Sequence, residues 1–195
     1  MGFENEDQGI RKAIREAANR DKVILAAASN SGSIDPTKRV AFPARMSGQV
    51  ISIRSATGHG ERAAASPRRS DGDDNFAILG EGIEAAWPAS WNDGQVTRFV
   101  SGTSFATPLA AGVAALLMEF SMQKGIRGAP NLNEDLQHIL MQYRGIRKMF
   151  EHMSATQDNS FNVDCRIIYP WRLFDPDMKY EGIAYTIEQQ LKNAS

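Results

Sequence analysis

The sequence has one cysteine, Cys165, among its 195 residues. A single cysteine excludes an internal disulfide, so cysteine usage favours a reducing compartment such as the cytosol. An excess of charge of one sign is also missing, because 22 Lys and Arg face 23 Asp and Glu. The net charge of -1 therefore gives no electrostatic reason to expect a nucleic acid or an anionic membrane surface as a partner.

Apolar runs of membrane-spanning length are lacking too. The longest run, residues 108–120, is short and rich in alanine, so we expect no membrane segment. The acidic N-terminus has no basic start followed by an apolar stretch, as a secretory signal would have. The composition, 42% hydrophobic and 23% charged, is typical of a globular protein, and the length fits one domain.

Helical and strand-like patterns alternate along the chain. Apolar residues at helical spacing within 10–18 predict an amphipathic helix, and the short apolar run 23–28 predicts a strand buried on both faces of a parallel sheet. This alternation predicts an α/β fold. Further strands are predicted at 50–53, 78–86 and 97–100, an exposed loop at 60–75, and helices over 104–122 and 133–150.

Ser104 stands where a predicted strand meets a predicted helix, in the segment 100–108, VSGTSFATP. A serine at a helix N-terminus projects its hydroxyl from a rigid scaffold, and unpaired N–H groups of the first turn can stabilise a developing oxyanion. Pro108 suits the first turn, where its missing N–H would have no intrahelical partner. This geometry suits a nucleophile at Ser104, although for the bare pattern a simple helix cap by Ser104 or Thr103 is the commoner case.

Two segments resemble the subtilisin-like serine proteases. Residues 102–108, GTSFATP, followed by a helix of small residues, resemble the segment around the nucleophile of that family. Residues 23–32, VILAAASNSG, resemble the strand that ends in its oxyanion-hole asparagine, with Asn30 in that place. An amide suits this task because it donates a hydrogen bond without titrating. Ser29 stands where the family usually has glycine.

The resemblance implies a fold and an activity. It extends over about residues 8–120, with softer matches at 40–44 and 80–83, and implies part of a three-layer fold with a mostly parallel sheet. We expect residues 1–125 to form a partial catalytic domain and residues 126–195 a helical C-terminal extension, loosely similar to those of fungal subtilases. The implied activity is that of a serine endopeptidase acting on a peptide or protein substrate, with no cofactor and no metal.

The acid and base of this family are not found in the sequence. In subtilisin-like proteases the triad runs Asp, His, Ser, and both partners precede the oxyanion-hole asparagine. Nothing before Asn30 resembles the Asp-Thr-Gly or Asp-Ser-Gly strand end, and no His-Gly-Thr-His segment occurs. The resemblance therefore implies the C-terminal half of a catalytic domain, inactive alone, with the missing N-terminal half as a partner at the open sheet edge.

Four other interpretations follow from the residues. His59, between Asn30 and Ser104, is expected to be an exposed loop histidine rather than a base. An α/β-hydrolase would place its acid and base after the serine, and Asp135 with His138 or His152 could then serve. A non-catalytic interaction module that kept the protease scaffold is the remaining alternative. The acidic cluster 70–75 could hold calcium, although a solvated loop is the expectation.

Overall fold

The computed structural model describes residues 2–32, 40–68, 74–123, 132–154 and 165–193. Its helices and strands alternate, so the predicted α/β class is confirmed. The helices are α1 (Gln8–Ala18), α2 (Thr103–Met122), α3 (Glu134–Leu140), α4 (Tyr143–Met153) and α5 (Tyr180–Lys192). The strands are β1 (Leu25–Ala27), β2 (Ile51–Ala56), β3 (Phe76–Leu79), β4 (Ile83–Ala86), β5 (Thr97–Val100) and β6 (Arg166–Ile167).

Four of the strands form a parallel sheet in the order β1-β2-β3-β6. Every residue of β2 is buried, as expected for a strand covered on both faces. Because the strands are parallel, their carboxyl ends share one edge, which we call the C-terminal edge. The chain leaves that edge through the residues that follow each strand, at Asn30, Thr57, Gly80 and Tyr169.

Helices cover both faces of this sheet. Ile14 of α1 packs with Phe42, Met46 and Val50 in one cluster, while α2 contacts β1, β2 and β3. Residues of α2 share a single core with residues of α3, α4 and α5, and one of its contacts is an edge-to-face pair between Phe76 and Phe150. The predicted three-layer arrangement is thus present. The division at residue 125 stays a prediction.

Two predicted elements are each divided into two. Residues 78–86 hold the end of β3 and then β4, because the chain turns at Gly82, which has a φ of 65°. β4 pairs with β5 in a separate antiparallel hairpin. The helix predicted over 133–150 is α3 and α4, and a Cβ at Gly145 would lie 2.1 Å from the Ile139 carbonyl oxygen. The glycine lets the second helix turn back tightly onto the first.

The expected exposed loop over 60–75 is partly buried in its described portion. Ser66 is fully buried, and its hydroxyl accepts a hydrogen bond from the Ser55 N–H at 2.8 Å. The Nε of buried Arg54 donates to the Pro67 carbonyl at 3.2 Å. The polar composition of this segment predicted exposure to solvent. Instead, a side chain of the loop bonds to the backbone of β2, and a side chain of β2 bonds to the backbone of the loop.

α2 is mostly apolar, with Glu119 as its one charged residue, but it is buried on only part of its circumference. By length and composition it could cross a membrane, although one face packs on the sheet. The opposite face, which we call the α2 stripe, consists of small and apolar residues that remain exposed and begins at the serine. Its members are Ser104, Pro108, Ala111, Ala115 and Met122.

Candidate active site

Gly102 places the start of α2 at the C-terminal edge. Its φ of 139° and ψ of 167° belong to a region that favours glycine. Its N–H donates to the Gly80 carbonyl at 2.7 Å, which ties the helix start to the end of β3. A Cβ at Gly102 would lie 3.0 Å from Nδ2 of Asn30. Glycine is therefore needed both for the turn and for the approach of Asn30.

Ser104 is the second residue of α2, and its side chain is exposed at the C-terminal edge. The N–H groups of Phe105 and Ala106 both donate to the Gly102 carbonyl. Within the described part of the chain, no hydrogen bond engages the Ser104 N–H. The exposed side chain and this N–H thus both lie at the positive end of a 20-residue helix.

Asn30 follows β1 and reaches the residues just before Ser104. Its Oδ1 accepts hydrogen bonds from the Thr103 N–H at 2.9 Å and from the Thr103 hydroxyl at 3.0 Å. Two donors on Oδ1 define the orientation of the amide, because the oxygen faces Thr103 and Nδ2 is left to donate elsewhere. The roles of Asn30 and Ser104 remain proposals, and an amide nitrogen left free to donate is one requirement of the role assigned to Asn30.

Thr103 was missed as a site residue by sequence reasoning, which considered it only as a helix cap. It is buried, with 1% of its surface exposed, and both of its donors point at one oxygen. Through these two hydrogen bonds it fixes the orientation of the Asn30 amide. The signal available in the sequence was its place directly before the candidate nucleophile.

Two residues beside the site are Pro108, whose position in α2 differs from the prediction, and Ser29, whose backbone the structure now describes. Pro108 is not in the first turn of α2 but in the second, where its missing N–H leaves the Ser104 carbonyl without a helical donor. Ser29 has a φ of 157°, at the border of the region that favours glycine, and its hydroxyl accepts from the Ser31 N–H at 3.1 Å. A serine thus holds this near-extended backbone where the family usually has glycine.

The softer family matches lie beside these residues. In the segment 40–44, the Ala41 N–H donates to the Ala28 carbonyl at 2.8 Å, and Val40 and Ala44 form a buried cluster with Ala28. This contact holds the segment against the end of β1, next to Asn30. A Cβ at Gly80 would lie 2.8 Å from Cβ of Ala106, so glycine lets the end of β3 approach α2 closely.

None of the three histidines is hydrogen-bonded to Ser104 among the described residues. His59 is exposed in the turn after β2, as expected, where its N–H donates to the Thr57 hydroxyl. His152 is half-buried on α4, where burial lowers its pKa and the charges of Arg172 and Lys148 lower it further. A half-buried histidine that favours its neutral form there needs no catalytic explanation.

Asp135 and His138 lie at the wrong end of α2 for an α/β-hydrolase mechanism. Both are on α3, where Gln137 donates to the Ser121 carbonyl at 2.9 Å. Ser121 is 17 positions after Ser104 on the same helix, or about 25 Å at 1.5 Å per residue. His138 pairs with Asp21 at 3.4 Å. Asp21 precedes β1 and so belongs to the edge opposite Asn30.

The acidic cluster considered for calcium falls mostly outside the described residues, because 69–73 are among the positions not described. Asp74 itself is engaged by protein groups. Its Oδ1 accepts from Nε of Arg147 at 2.5 Å, and its Oδ2 accepts from the Tyr143 hydroxyl at 2.7 Å. In the described ranges, no group of three or more His, Cys, Asp or Glu side chains could hold a metal ion.

Comparisons with characterised proteins agree with this arrangement. Thermitase of Thermoactinomyces vulgaris is 32% identical over 115 residues, which are 57% of this chain and 36% of thermitase. The subtilisin-like protease het-Q2 of Podospora anserina is 33% identical over 116 residues, which are 59% of this chain and 30% of that protein. The chain thus spans about a third of the length of these relatives.

Solved structures and a family model extend the likeness over the rest of the chain. The protease domain of PatA, solved as its S218A mutant, has a TM-score of 0.63 at 22% identity. That match covers 100% of this chain and 57% of the PatA chain, and at this identity it shows the fold alone. The model of the subtilase family matches residues 2–160. This chain belongs to the subtilase family of serine proteases.

Proposed function

We propose that this chain supplies the nucleophile and the oxyanion hole of a subtilisin-like serine endopeptidase. Ser104 Oγ attacks the carbonyl carbon of a peptide bond, and the carbonyl oxygen becomes an oxyanion. Nδ2 of Asn30 and the Ser104 N–H donate to that oxyanion. The observation that carries the proposal is the pair of Thr103 donors on Oδ1 of Asn30, because they turn the amide nitrogen outward.

Attack by Ser104 also requires a base that takes the Oγ proton and returns it to the leaving amine. No described histidine is hydrogen-bonded to the serine, so we propose that the base and its orienting carboxylate come from the N-terminal half of a subtilase catalytic domain. Without that segment, the oxyanion hole can stabilise charge but the nucleophile remains a neutral hydroxyl. The chain on its own is accordingly inactive under this proposal.

Two open surfaces fit such a segment. Among the described residues, β1 has one strand neighbour, β2, so its other edge can accept a further strand. The α2 stripe presents Pro108, Ala111 and Ala115, whose small side chains let another element approach the helix closely. Because the stripe begins at Ser104, an element packed on it ends beside the nucleophile. A histidine at that end would reach the Ser104 hydroxyl.

Complementation tests the proposal. The 195-residue chain is refolded with, or fused behind, the part of thermitase that precedes its matching region, and hydrolysis of a chromogenic peptide is followed. We expect turnover from the combination and none from either part alone. Ser104→Ala should abolish turnover, while Ser101→Ala, an exposed neighbour outside the proposed chemistry, should retain it.

A non-catalytic binding module is the second candidate, favoured by the lack of a base hydrogen-bonded to Ser104 in the described ranges. The same experiment separates the two functions. A folded complex, shown by co-elution on gel filtration, that has no turnover would support the module and contradict the protease. Turnover that survives Ser104→Ala would contradict both.

A further inference from the structure

Basic side chains gather where α4 meets the turn that follows β6. Lys148 and His152 are four positions apart on α4, so their side chains are neighbours on one face of the helix. The 3-10 turn Pro170–Arg172 packs against α4. Arg172 ends this turn, and its charge acts on His152. We call Lys148, His152 and Arg172 the basic cluster.

Two backbone hydrogen bonds hold Arg172 in this place. The Tyr169 N–H donates to the Met153 carbonyl at 3.0 Å, and the Arg172 N–H donates to the Tyr169 carbonyl at 3.0 Å. Met153 is the residue directly after His152. The path of the backbone therefore brings Arg172 beside His152, without an ion pair to draw it there.

Carboxylates offset only part of this positive charge. Glu151 is shared among three cations, and its Oε2 lies 3.9 Å from Nζ of Lys148. Its Oε1 is closer to two arginines, at 2.7 Å from Nη1 of Arg166 and 3.0 Å from Nη2 of Arg147. Glu151 is thus turned mainly toward those arginines. Arg172 is exposed and has no ion-pair partner in the described ranges.

His152 itself lacks a protein partner. Among the described residues, neither of its ring nitrogens is hydrogen-bonded. Burial lowers its pKa, the charges of Arg172 and Lys148 lower it further, and no carboxylate of the described residues raises it. Three nitrogen-bearing side chains thus lie together at a cost in repulsion, and a bound anion would replace that repulsion by attraction.

We propose that the basic cluster binds a phosphate group, either as inorganic phosphate or as a phosphomonoester. Such a group carries roughly two negative charges near neutral pH and has several acceptor oxygens. Arg172 and Lys148 can each donate charge-assisted hydrogen bonds to it, and His152 can donate from a ring N–H. In the described ranges, no hydrogen bond or ion pair links these side chains to Asn30 or Ser104, so the phosphate site stands apart from the proposed function.

Sulfate is the first probe, because it stays a dianion while His152 titrates. NMR spectra of the 195-residue chain are recorded with increasing sulfate at about pH 5.5 and at about pH 7.5, and chloride keeps the ionic strength constant. The charges that face His152 are those of Lys148 and Arg172, so its protonation adds a third positive charge to the cluster. We expect sulfate to bind about fivefold more tightly at the lower pH.

The converse effect is read from the histidine signals. Sulfate should raise the pH at which the Cε1–H signal of His152 titrates, because the bound anion favours the imidazolium. The signal of His59, which is exposed in the turn after β2, should titrate alike with and without sulfate. No binding at either pH, or equal binding at both, would overturn the proposal.

A matched pair of variants locates the site. Arg172→Gln removes one donor of the cluster and should weaken sulfate binding about fivefold. Arg15→Gln removes the same charge from an exposed position on α1 and should leave binding unchanged. Equal weakening by the two variants would assign the effect to net charge and contradict the site. His152→Gln should remove the difference between the two pH values, and its persistence would contradict the part given to His152.

The source of the phosphate group is tested at about pH 7.5 with inorganic phosphate and with N-acetyl-phosphoserinamide. Tighter binding of the phosphoserine derivative would support a phosphorylated side chain as the ligand, and equal or tighter binding of inorganic phosphate would support the free anion. N-acetylserinamide, which lacks the phosphate, should not bind. A response to that control equal to the response to its phosphorylated form, or no response to any of the three, would contradict the proposal.

Discussion

Gly102, Thr103 and Ser104 have three different tasks at the start of α2. Gly102 adopts a backbone shape that side chains disfavour, Thr103 holds the amide of Asn30, and Ser104 presents its hydroxyl and N–H. Only the last task was predicted from the sequence. The other two depend on the approach of Asn30, which is 73 positions before Thr103 and which no local pattern records.

Thr103→Val keeps the backbone donor to Asn30 and removes the hydroxyl donor. One hydrogen bond is worth about 1 kcal/mol, so we expect kcat of the complemented enzyme to fall about fivefold to tenfold with KM unchanged. Thr103→Ser should restore most of the rate. Steady-state kinetics check this, and an unchanged kcat in the valine variant would show that the backbone N–H alone orients the amide.

Gly102→Ala should destabilise the fold by about 1–3 kcal/mol, because alanine at a φ of 139° is strained and its Cβ would press on Asn30. Gly112→Ala is the matched control, since nothing lies within 4 Å of an added Cβ at that exposed helical position. It should stabilise by about 0.5–1 kcal/mol. Urea unfolding measures both, and changes of the same sign would contradict the role of Gly102.

α2 connects the site to the core, and its two faces should respond differently to truncation. Leu117 is 0% exposed and Leu116 is 61% exposed. Leu117→Ala should cost about 2–5 kcal/mol through the cavity that it leaves, whereas Leu116→Ala should change the unfolding free energy by less than about 0.5 kcal/mol. Chemical denaturation of the 195-residue chain gives both values. Equal losses would mean that the exposed face of α2 is covered.

α4 is joined to the start of β3 through Asp74, and this contact makes stability depend on pH. Burial raises the pKa of Tyr143, and the hydrogen bond to Asp74 raises it further. The unfolded chain releases the Tyr143 proton near its ordinary pKa of about 10, while the folded chain retains it to higher pH. The unfolding free energy should therefore fall as pH rises above about 10.

Urea unfolding between about pH 9 and pH 11 measures this slope. Tyr143→Phe should flatten it, because the group that titrates differently in the two states is gone. Tyr185→Phe, which changes a tyrosine that is 61% exposed on α5, should leave it intact. A slope that is the same in Tyr143→Phe as in the parent would assign the pH dependence to another group.

Considered as a whole, the chain shows which features local patterns can predict. The α/β alternation was predictable because buried parallel strands and amphipathic helices leave different periodicities. The division of residues 78–86 into β3 and β4 at Gly82 could not be predicted, nor could the break between α3 and α4 before Gly145. Tertiary contacts decide where these elements end. At the site, Ser104 and Asn30 were assigned through resemblance, whereas the contact of Thr103 with Asn30 joins segments too distant for any motif.

The most direct test of the central claim is labelling by a fluorophosphonate probe, with mass spectrometry to identify the modified residue. The probe reacts with a serine only when a base activates it. We expect no labelling of the 195-residue chain alone, and labelling at Ser104 once the Asp- and His-bearing segment is added. Labelling of Ser104 in the chain alone, or of another residue in the complemented enzyme, would contradict the account.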